Sequence, residues 1–283
     1  MLILQTLIGA WPLHAEDLPA LRDRLVLYIV KAAKEAKANT SWIQEDQRWE
    51  DALRGYVEGL FALPLGQRLW KLLQPFALRV AQIGLHNSLS QVMLKIASPG
   101  VPDFYQGTEL WDLSLVDPDN RRPVDFELRR RLLDELLSSA LAPAELAREL
   151  YARWQDGRIK LFLTHAALRA RKAQPDVFAG GAYVPLAPQG PRADNLVAFA
   201  RTGPQGQLAV VVAPRLVAGL LDGERLPAER FAGTVVPLPD LPAGDELRDV
   251  LTGEEREMGK NGLPVDQLFS TLPLALLSNS RSS

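Results

Sequence analysis

The sequence contains no cysteine, and this absence excludes disulfide bonds, catalytic thiols and thiolate metal sites. The same absence is compatible with a reducing compartment, and we expect a cytoplasmic protein. Histidine is scarce as well, since only His14, His86 and His165 are present and they are far apart in the sequence. Neither a His-Glu-x-x-His motif nor a dinucleotide-binding fingerprint occurs. We therefore expect neither a metal site nor a cofactor.

A strong net charge and long apolar runs are also missing. The formal net charge is −2, so no basic surface predicts a nucleic-acid partner or an anionic membrane partner. No apolar run reaches the ~18 residues that a membrane-spanning helix needs. The apolar residues 1–10 lack a basic flank and include Gln5, which favours a buried helix over the alternative of a secretory signal peptide. The hydrophobic share of 47% is typical of a globular protein.

The N-terminal third of the chain shows helical periodicity. Residues 18–38 carry apolar side chains such as Leu21 and Leu25 at three-to-four spacing, which predicts an amphipathic helix. Further helices are predicted over 45–61 and 66–97. The helix over 66–97 is mostly apolar, so we expect it to be covered on several sides.

A short strand is predicted over 101–105, and helical patterns return over 126–139, 143–154 and 158–172. From Gln174-Pro175 onward, Gly and Pro are frequent and the apolar runs are short. This texture predicts an antiparallel sheet or sandwich. The predicted strand regions are 182–186, 195–201, 208–212, 233–238, 247–251 and 272–277.

The change of texture also predicts a domain boundary. We place it near residue 175, which gives one domain over 1–175 and a second over 176–283. A chain of 283 residues is long enough for two domains of this size.

One run, residues 98–125, combines a short apolar segment with a loop rich in polar side chains. The apolar segment lies between Pro99-Gly100 and Gly107. A strand that ends in a charged loop is how a barrel presents chemistry at its C-terminal face. Carboxylates, an amide and guanidiniums supply acceptors and forked donors, which suit a polyhydroxylated ligand. The polar residues are Glu109, Asp112, Asp117, Asp119, Asn120, Arg121 and Arg122.

Two stretches of this run resemble maltooligosyl trehalose synthase, a glucosylmutase of the alpha-amylase superfamily. Gly100-Val-Pro-Asp-Phe-Tyr-Gln-Gly-Thr-Glu-Leu110 is similar to the family's eighth barrel strand. Val116-Asp-Pro-Asp-Asn-Arg-Arg-Pro-Val124 is similar to the loop that follows that strand. The resemblance covers nearly the whole chain. Further similar stretches are Lys34-Glu-Ala-Lys37, where the family has Arg at the first position, Thr40-Ser-Trp42, Asp156-Gly-Arg-Ile-Lys-Leu161 and Arg248-Asp-Val-Leu-Thr-Gly253.

The resemblance implies a fold of class α+β, or partial α/β. The helical end of a (β/α)8 barrel, with its last strand and a helical insertion, would be followed by a C-terminal antiparallel β-sandwich domain. The implied enzyme is a (1→4)-alpha-D-glucan 1-alpha-D-glucosylmutase. This isomerase of trehalose biosynthesis converts the reducing-end α-1,4 bond of a maltooligosaccharide into an α,α-1,1 trehalose linkage. The implied substrate-binding residues are Tyr105, Glu109, Asp117, Asp119, Asn120, Arg121, Arg122, Lys37 and Trp42.

No catalytic residue is assigned in this chain. The resemblance implies that the family's catalytic carboxylates lie upstream of Met1, and the family's Thr-His-Asp-Thr-Lys-Arg type stretch is absent. We therefore expect a C-terminal fragment that is inactive alone, with a maltooligosaccharide as ligand and the N-terminal part of the same enzyme as partner. Two alternatives stay open: a non-catalytic glucan-binding or interaction module, and part of another alpha-amylase superfamily glucosidase.

The candidate site residues also have structural explanations. The loop's own arginines offer ion-pair partners to Asp117 and Asp119, and such pairing favours the ionised carboxylates. Lys37 is placed to satisfy the last carbonyls of a helix, and Trp42 is of a residue type that often serves in packing.

Overall fold

The structure is a computed structural model that describes residues 1–62, 64–238 and 247–279. The chain forms two compact units. The first comprises Met1–Gln82 with Asp112–Val124, and the second comprises Ile83–Trp111 with Asp125–Ser283. Helix gives way to strand near residue 175, as predicted, but the compact units divide elsewhere. The domain division into 1–175 and 176–283 stays a prediction.

The first unit is helical. It contains α1 (Leu2–Gly9), α2 (Leu18–Ala36), α3 (Gln47–Ala62) and the first part of α4 (Pro64–Ala97). The predicted helices at 1–10, 18–38, 45–61 and 66–97 are confirmed within a few residues. The burial expected for the first helix is wrong, since Leu2 is 46% and Leu4 41% exposed, and Leu7 is the buried residue of α1. Helix α2 has Pro19 in its first turn and is followed by the C-cap residue Lys37, whose φ of 56° is left-handed.

One apolar cluster holds the first unit together. Leu21 and Leu25, on the buried face of α2, pack with Leu7 of α1 and Val57 of α3. Trp70 of α4 packs against the cluster, and its ring centroid lies 5.3 Å from that of Trp11. The periodicity of α2 therefore predicted the face that is buried.

The expectation that α4 is covered on several sides is wrong for part of the helix. Leu72 is 79% exposed and Phe76 is 56% exposed. Both flank Pro75, which lies inside the helix. An apolar sequence favours burial, but it does not supply the neighbours that would cover it.

The second unit combines helices with antiparallel strands. A six-stranded sheet has the order β1-β2-β3-β8-β5-β6, and β4 pairs with β7 in a separate two-stranded sheet. The strands are β1 (Ala182–Leu186), β2 (Leu196–Thr202), β3 (Leu208–Pro214), β4 (Val235–Val236), β5 (Leu247–Asp249), β6 (Glu255–Arg256), β7 (Leu263–Pro264) and β8 (Ala275–Ser278). The helices are α5 (Phe126–Leu137), α6 (Pro143–Ala152), α7 (Arg158–Ala173), α8 (Pro175–Phe178) and α9 (Val265–Leu268), with the end of α4.

All six predicted strand regions contain a strand, and the three predicted helices after residue 125 are confirmed. The sequence analysis missed β6 and β7, which are only two residues long. The expected sandwich is not seen in the described residues, because one large sheet is accompanied only by the β4–β7 pair. The antiparallel arrangement itself is confirmed.

The core of the second unit lies at β3. All seven residues of β3 are buried, and the strand pairs with β2 and β8 on either side. Phe231 and Phe269 pack edge to face, with ring centroids 5.0 Å apart. A central strand covered on both faces explains why its sequence is continuously apolar rather than alternating.

The predicted strand over 101–105 is not formed, which corrects that prediction. A strand needs a neighbouring strand to bond its backbone, and the described residues offer none here. Side chains provide hydrogen bonds instead. Lys95 Nζ donates to the Asp103 carbonyl at 2.8 Å, and Arg171 donates to the Gly100 carbonyl.

Candidate functional site

In the first unit, an ion pair fixes the loop over 112–124 to helix α2. Arg24 Nε lies 3.0 Å from both carboxylate oxygens of Asp119, and its Nη2 lies 2.8 Å from Oδ2. The same Nη2 donates to the Leu113 carbonyl. A forked guanidinium matched to a carboxylate is the strongest geometry for such a pair.

Asp119 is close to saturated by protein donors. Its Oδ2 also accepts the Leu115 N–H at 2.6 Å, and Arg122 Nε lies 3.1 Å from Oδ1. Burial on its own would raise the pKa of Asp119, but these donors, led by Arg24, hold the pKa below its usual range. Asp119 therefore acts as an ionised anchor for the loop.

The two loop arginines differ in how they are held. Arg122 donates through Nε to the Asp119 carbonyl and through Nη2 to Ser114 Oγ, each at 3.0 Å, while 51% of its side chain stays exposed. Its Nη1 makes no hydrogen bond to a described residue. Arg121 pairs with Asp117 at the surface, and Lys31 of α2 donates to the Asp117 carbonyl. Arg122 therefore presents free donors from a fixed position.

In the loop over 112–124, Asn120 carries a buried side-chain atom that has no hydrogen-bond partner among the described residues. Its Oδ1 is buried and accepts no hydrogen bond from any residue that the structure describes. A buried acceptor without a partner is costly, and a ligand or a water that donates to it would relieve that cost.

A second cluster follows the C-terminal end of α2. Lys34 Nζ lies 2.6 Å from Glu45 Oε1, 3.4 Å from Glu50 Oε1 and 5.0 Å from the centroid of the Trp42 ring. The hydrogen bond from Lys34 to Glu45 raises the pKa of Lys34 despite the opposing effect of burial. Glu50 is itself 1% exposed and accepts from Thr40 Oγ1 at 2.6 Å. This network fixes the segment that carries Trp42.

Trp42 and Lys37 are both accessible in this cluster. Trp42 is 58% exposed, and Lys34 Nζ lies 5.0 Å from the centroid of its ring. Lys37 is exposed and makes no hydrogen bond or ion pair through its side chain with the described residues. The alternative that Lys37 satisfies helix carbonyls holds only for its backbone, whose N–H donates to the Ala33 carbonyl at 3.3 Å.

Two predicted site residues belong to the second unit. Glu109 Oε2 accepts from Arg129 Nε at 3.0 Å, and Arg129 Nη2 donates to the Gly107 carbonyl at 2.7 Å. Tyr105 is 48% exposed, and its carbonyl accepts the Thr108 hydroxyl at 2.7 Å. Arg129 thus orders the turn between the two candidates.

Among the predicted substrate-binding residues, the structure brings two pairs into contact. Asp119 pairs with Arg122, and Asp117 pairs with Arg121. The sequence analysis missed the residues that hold the candidates in place, which are Arg24, Lys31, Lys34 and Arg129. Arg24 and Lys31 are seven residues apart on one helix and so share a face. That spacing was the sequence signal that could have identified Arg24 and Lys31.

We also searched the structure for groups of metal-binding side chains and for membrane-spanning helices. Within residues 1–62, 64–238 and 247–279, no three His, Asp or Glu side chains are grouped so that they could hold a metal ion. Among the same residues no helix has the length and apolarity that crossing a membrane requires.

No protein-family model matches the chain. Two curated proteins do, both described as putative maltooligosyl trehalose synthase, from Mycobacterium tuberculosis strains H37Rv and CDC 1551. Each is 37% identical over 276 residues, which is 96% of this chain but 30% of the relative. This chain therefore spans about a third of the length of the relatives it matches.

Solved structures agree. The maltooligosyltrehalose synthase of Arthrobacter ramosus matches with a TM-score of 0.75 and 37% identity, covering 98% of this chain and 32% of that one. A crystal structure of maltooligosyl trehalose synthase matches with a TM-score of 0.71 and 29% identity, again over 98% of this chain and 32% of that one. A structure from Sulfolobus tokodaii, described as a hypothetical maltooligosyl trehalose synthase, has a TM-score of 0.65 and 27% identity.

These matches show that the chain, helices and antiparallel sheet together, is homologous to one segment of a larger enzyme. That enzyme is maltooligosyl trehalose synthase, and the resemblance found in the sequence is confirmed.

Proposed function

We propose that these 283 residues form part of a (1→4)-alpha-D-glucan 1-alpha-D-glucosylmutase, with residues 98–125 contributing to the pocket that holds the maltooligosaccharide. Identity of 37% to maltooligosyl trehalose synthases over nearly the whole chain supports this assignment. The observation that supports it is the loop over 112–124, in which Asp119, paired with Arg24 of α2, contacts Arg122 and helps to hold it in place.

We assign different roles to the candidate residues. Arg122 would donate from its free Nη1 to sugar hydroxyls, and Asn120 Oδ1 would accept from one. Asp119 would act as a positioning residue, because its oxygens are already occupied. Tyr105 and Trp42, each about half exposed, would offer ring faces to sugars. Glu109, Asp117, Arg121 and Lys37 complete the proposed lining.

The mutase reaction divides into two steps. The bond between C1 and O4 at the reducing end breaks, C1 is held on a catalytic carboxylate, and the released glucose takes the proton from the acid group. The 1-hydroxyl of that glucose then attacks C1, its proton returns to the same group, and the α,α-1,1 bond forms. Water in place of glucose would give hydrolysis, so the glucose must stay held and oriented. We propose that the loop over 112–124 does this.

The carboxylates of this reaction are not among the residues assigned here. We propose that the chain alone does not turn over maltooligosaccharides and that the N-terminal part of the same enzyme is its partner. The exposed Leu72 and Phe76 of α4 offer apolar surface for such a partner to bury. The absence of cofactors and the cytoplasmic location stay predictions.

The test uses maltopentaose and two readouts, namely loss of reducing ends without hydrolysis and release of free glucose. The chain alone should give neither product. Mixed with the remaining two thirds of the Arthrobacter ramosus enzyme, it should give the non-reducing product. Product formed by the purified chain alone would contradict the proposed dependence on a partner.

The loop is tested in the same mixture. Arg122→Ala should lower the non-reducing product at least tenfold and raise the share of free glucose, because the glucose is no longer held. Arg130→Ala is the matched control, since Arg130 is an exposed arginine whose one ion-pair partner among the described residues is Glu127, at 2.6 Å. Equal product ratios in the two variants would refute the proposed role of the loop.

A further inference from the structure

The second unit contains a cavity of about 690 Å³ that none of the sequence-predicted site residues lines. Its walls are the end of α6, the turn over 222–232 and the segment over 266–273. The volume falls within the ~300–1,000 Å³ that is usual for small-molecule sites.

The cavity has an aromatic floor. Tyr151 of α6 lines it, and the Tyr151 hydroxyl accepts the Leu226 N–H at 3.2 Å. Burial raises the pKa of Tyr151 to about 12, so the ring stays neutral at physiological pH. Phe269 also lines the cavity and is fixed edge to face against Phe231. Because Phe269 is 3% exposed, it supports the floor from beneath, and the half-buried Tyr151 is the aromatic side chain placed to pack against the apolar face of a sugar ring.

The rim supplies charged side chains that are not held in hydrogen bonds or ion pairs with the described residues, although the charge of Arg225 acts on Tyr151. The side chains of Arg148, Arg225, Asp222 and Glu229 line the cavity and make no hydrogen bond or ion pair with any described residue. Guanidiniums donate through forked N–H groups, and carboxylates accept at several positions. The lining holds three carboxylates and two guanidiniums, so its formal charge is close to neutral. A balanced set of donors and acceptors suits a neutral polyhydroxylated ligand better than a phosphate or a nucleic acid.

We infer that this cavity is a non-catalytic binding site for a short α-1,4-glucan. The choice of glucan rests on the proposed function, whereas the site itself rests on the aromatic floor and the unpaired rim. The site would hold a glucan on the second unit without chemistry. Because α6 forms one wall, residues 176–283 without α6 would lack Arg148 and Tyr151 and would not retain it.

Calorimetric titration of the full chain with maltopentaose tests this inference. The double variant Arg225→Ala, Glu229→Ala should weaken binding at least tenfold, while its circular dichroism spectrum matches that of the parent. Arg230→Ala, an exposed neighbour that does not line the cavity, should bind as the parent does. Cellopentaose and inorganic phosphate should bind at least tenfold more weakly than maltopentaose.

The two proposals fail in different ways. If maltopentaose does not bind, or binds the double variant as tightly as the parent, the cavity is not a glucan site. If Arg122→Ala alone abolishes binding, the loop keeps its proposed role and the cavity site is overturned. If cellopentaose or phosphate binds as well as maltopentaose, the inferred ligand is wrong. None of these results depends on whether the chain takes part in turnover.

Discussion

Asp249 should make the stability of the second unit depend on pH in an unusual direction. This residue ends β5, is 1% exposed and accepts the Leu251 N–H at 2.9 Å through Oδ1. Its Oδ2 is buried and accepts no hydrogen bond from the described residues. Burial raises the pKa of Asp249 to about 7 from an ordinary value of 3.8, although the charge of Arg256 opposes the shift.

The sign of the effect follows from proton linkage. The folded chain binds a proton at Asp249 more tightly than the unfolded chain does, because its pKa is higher when folded. The free energy of unfolding should therefore fall as pH rises from about 4 to about 7, and stay level above that range. The difference in pKa corresponds to at most about 4 kcal/mol, at about 1.4 kcal/mol for each pKa unit.

Asp249→Asn removes the titrating group and keeps both the side-chain shape and the acceptor for the Leu251 N–H. We expect the variant to match the parent near pH 4 and to be more stable at pH 8, by an amount approaching ~4 kcal/mol. Urea unfolding across this pH range measures the difference. Asp194→Asn, at an exposed position in the same unit, is the matched control. Parallel stability curves for parent and Asp249→Asn would refute the reasoning.

Five further substitutions test contacts that lie within one unit or within the other. Arg201 is 1% exposed and donates hydrogen bonds to the carbonyls of Ala97, Phe178, Gly181 and Ala182. Arg201→Met should therefore lower the free energy of unfolding of the second unit by about 3–5 kcal/mol, measured by urea unfolding. A loss below about 1 kcal/mol would contradict this expectation. Asp119→Asn should destabilise the first unit by ~1–3 kcal/mol, because its pair with Arg24 is largely buried. Asp117→Asn, whose pair with Arg121 is exposed, should cost less than about 1 kcal/mol, and equal losses for the two aspartates would refute the anchoring role of Asp119. Lys34→Met should destabilise the first unit, because it leaves the buried Glu50 without its cation. The double variant Lys34→Met, Glu50→Gln should recover part of the lost stability in thermal unfolding. If no stability is recovered, the two residues are not coupled.

The sequence predicted secondary structure well where the signal is local. Apolar spacing located α2, α3 and α4, and short apolar runs located β1, β2 and β3. It failed for the segment over 101–105, whose composition favours a strand but whose backbone has no strand beside it among the described residues. It also failed for Leu72 and Phe76, since exposure depends on neighbours that no local pattern encodes.

By itself, the sequence determined the family resemblance and the polar inventory of residues 98–125, because a motif and its spacing are properties of contiguous residues. Only the tertiary structure decided which of those polar groups are already occupied. Asp119 meets Arg24 across 95 positions of sequence, and Glu109 meets Arg129 across 20. Such pairs form only when folding brings distant segments together. They show which carboxylates serve as anchors, and they distinguish these from side chains such as Arg122, which still has unused hydrogen-bond donors.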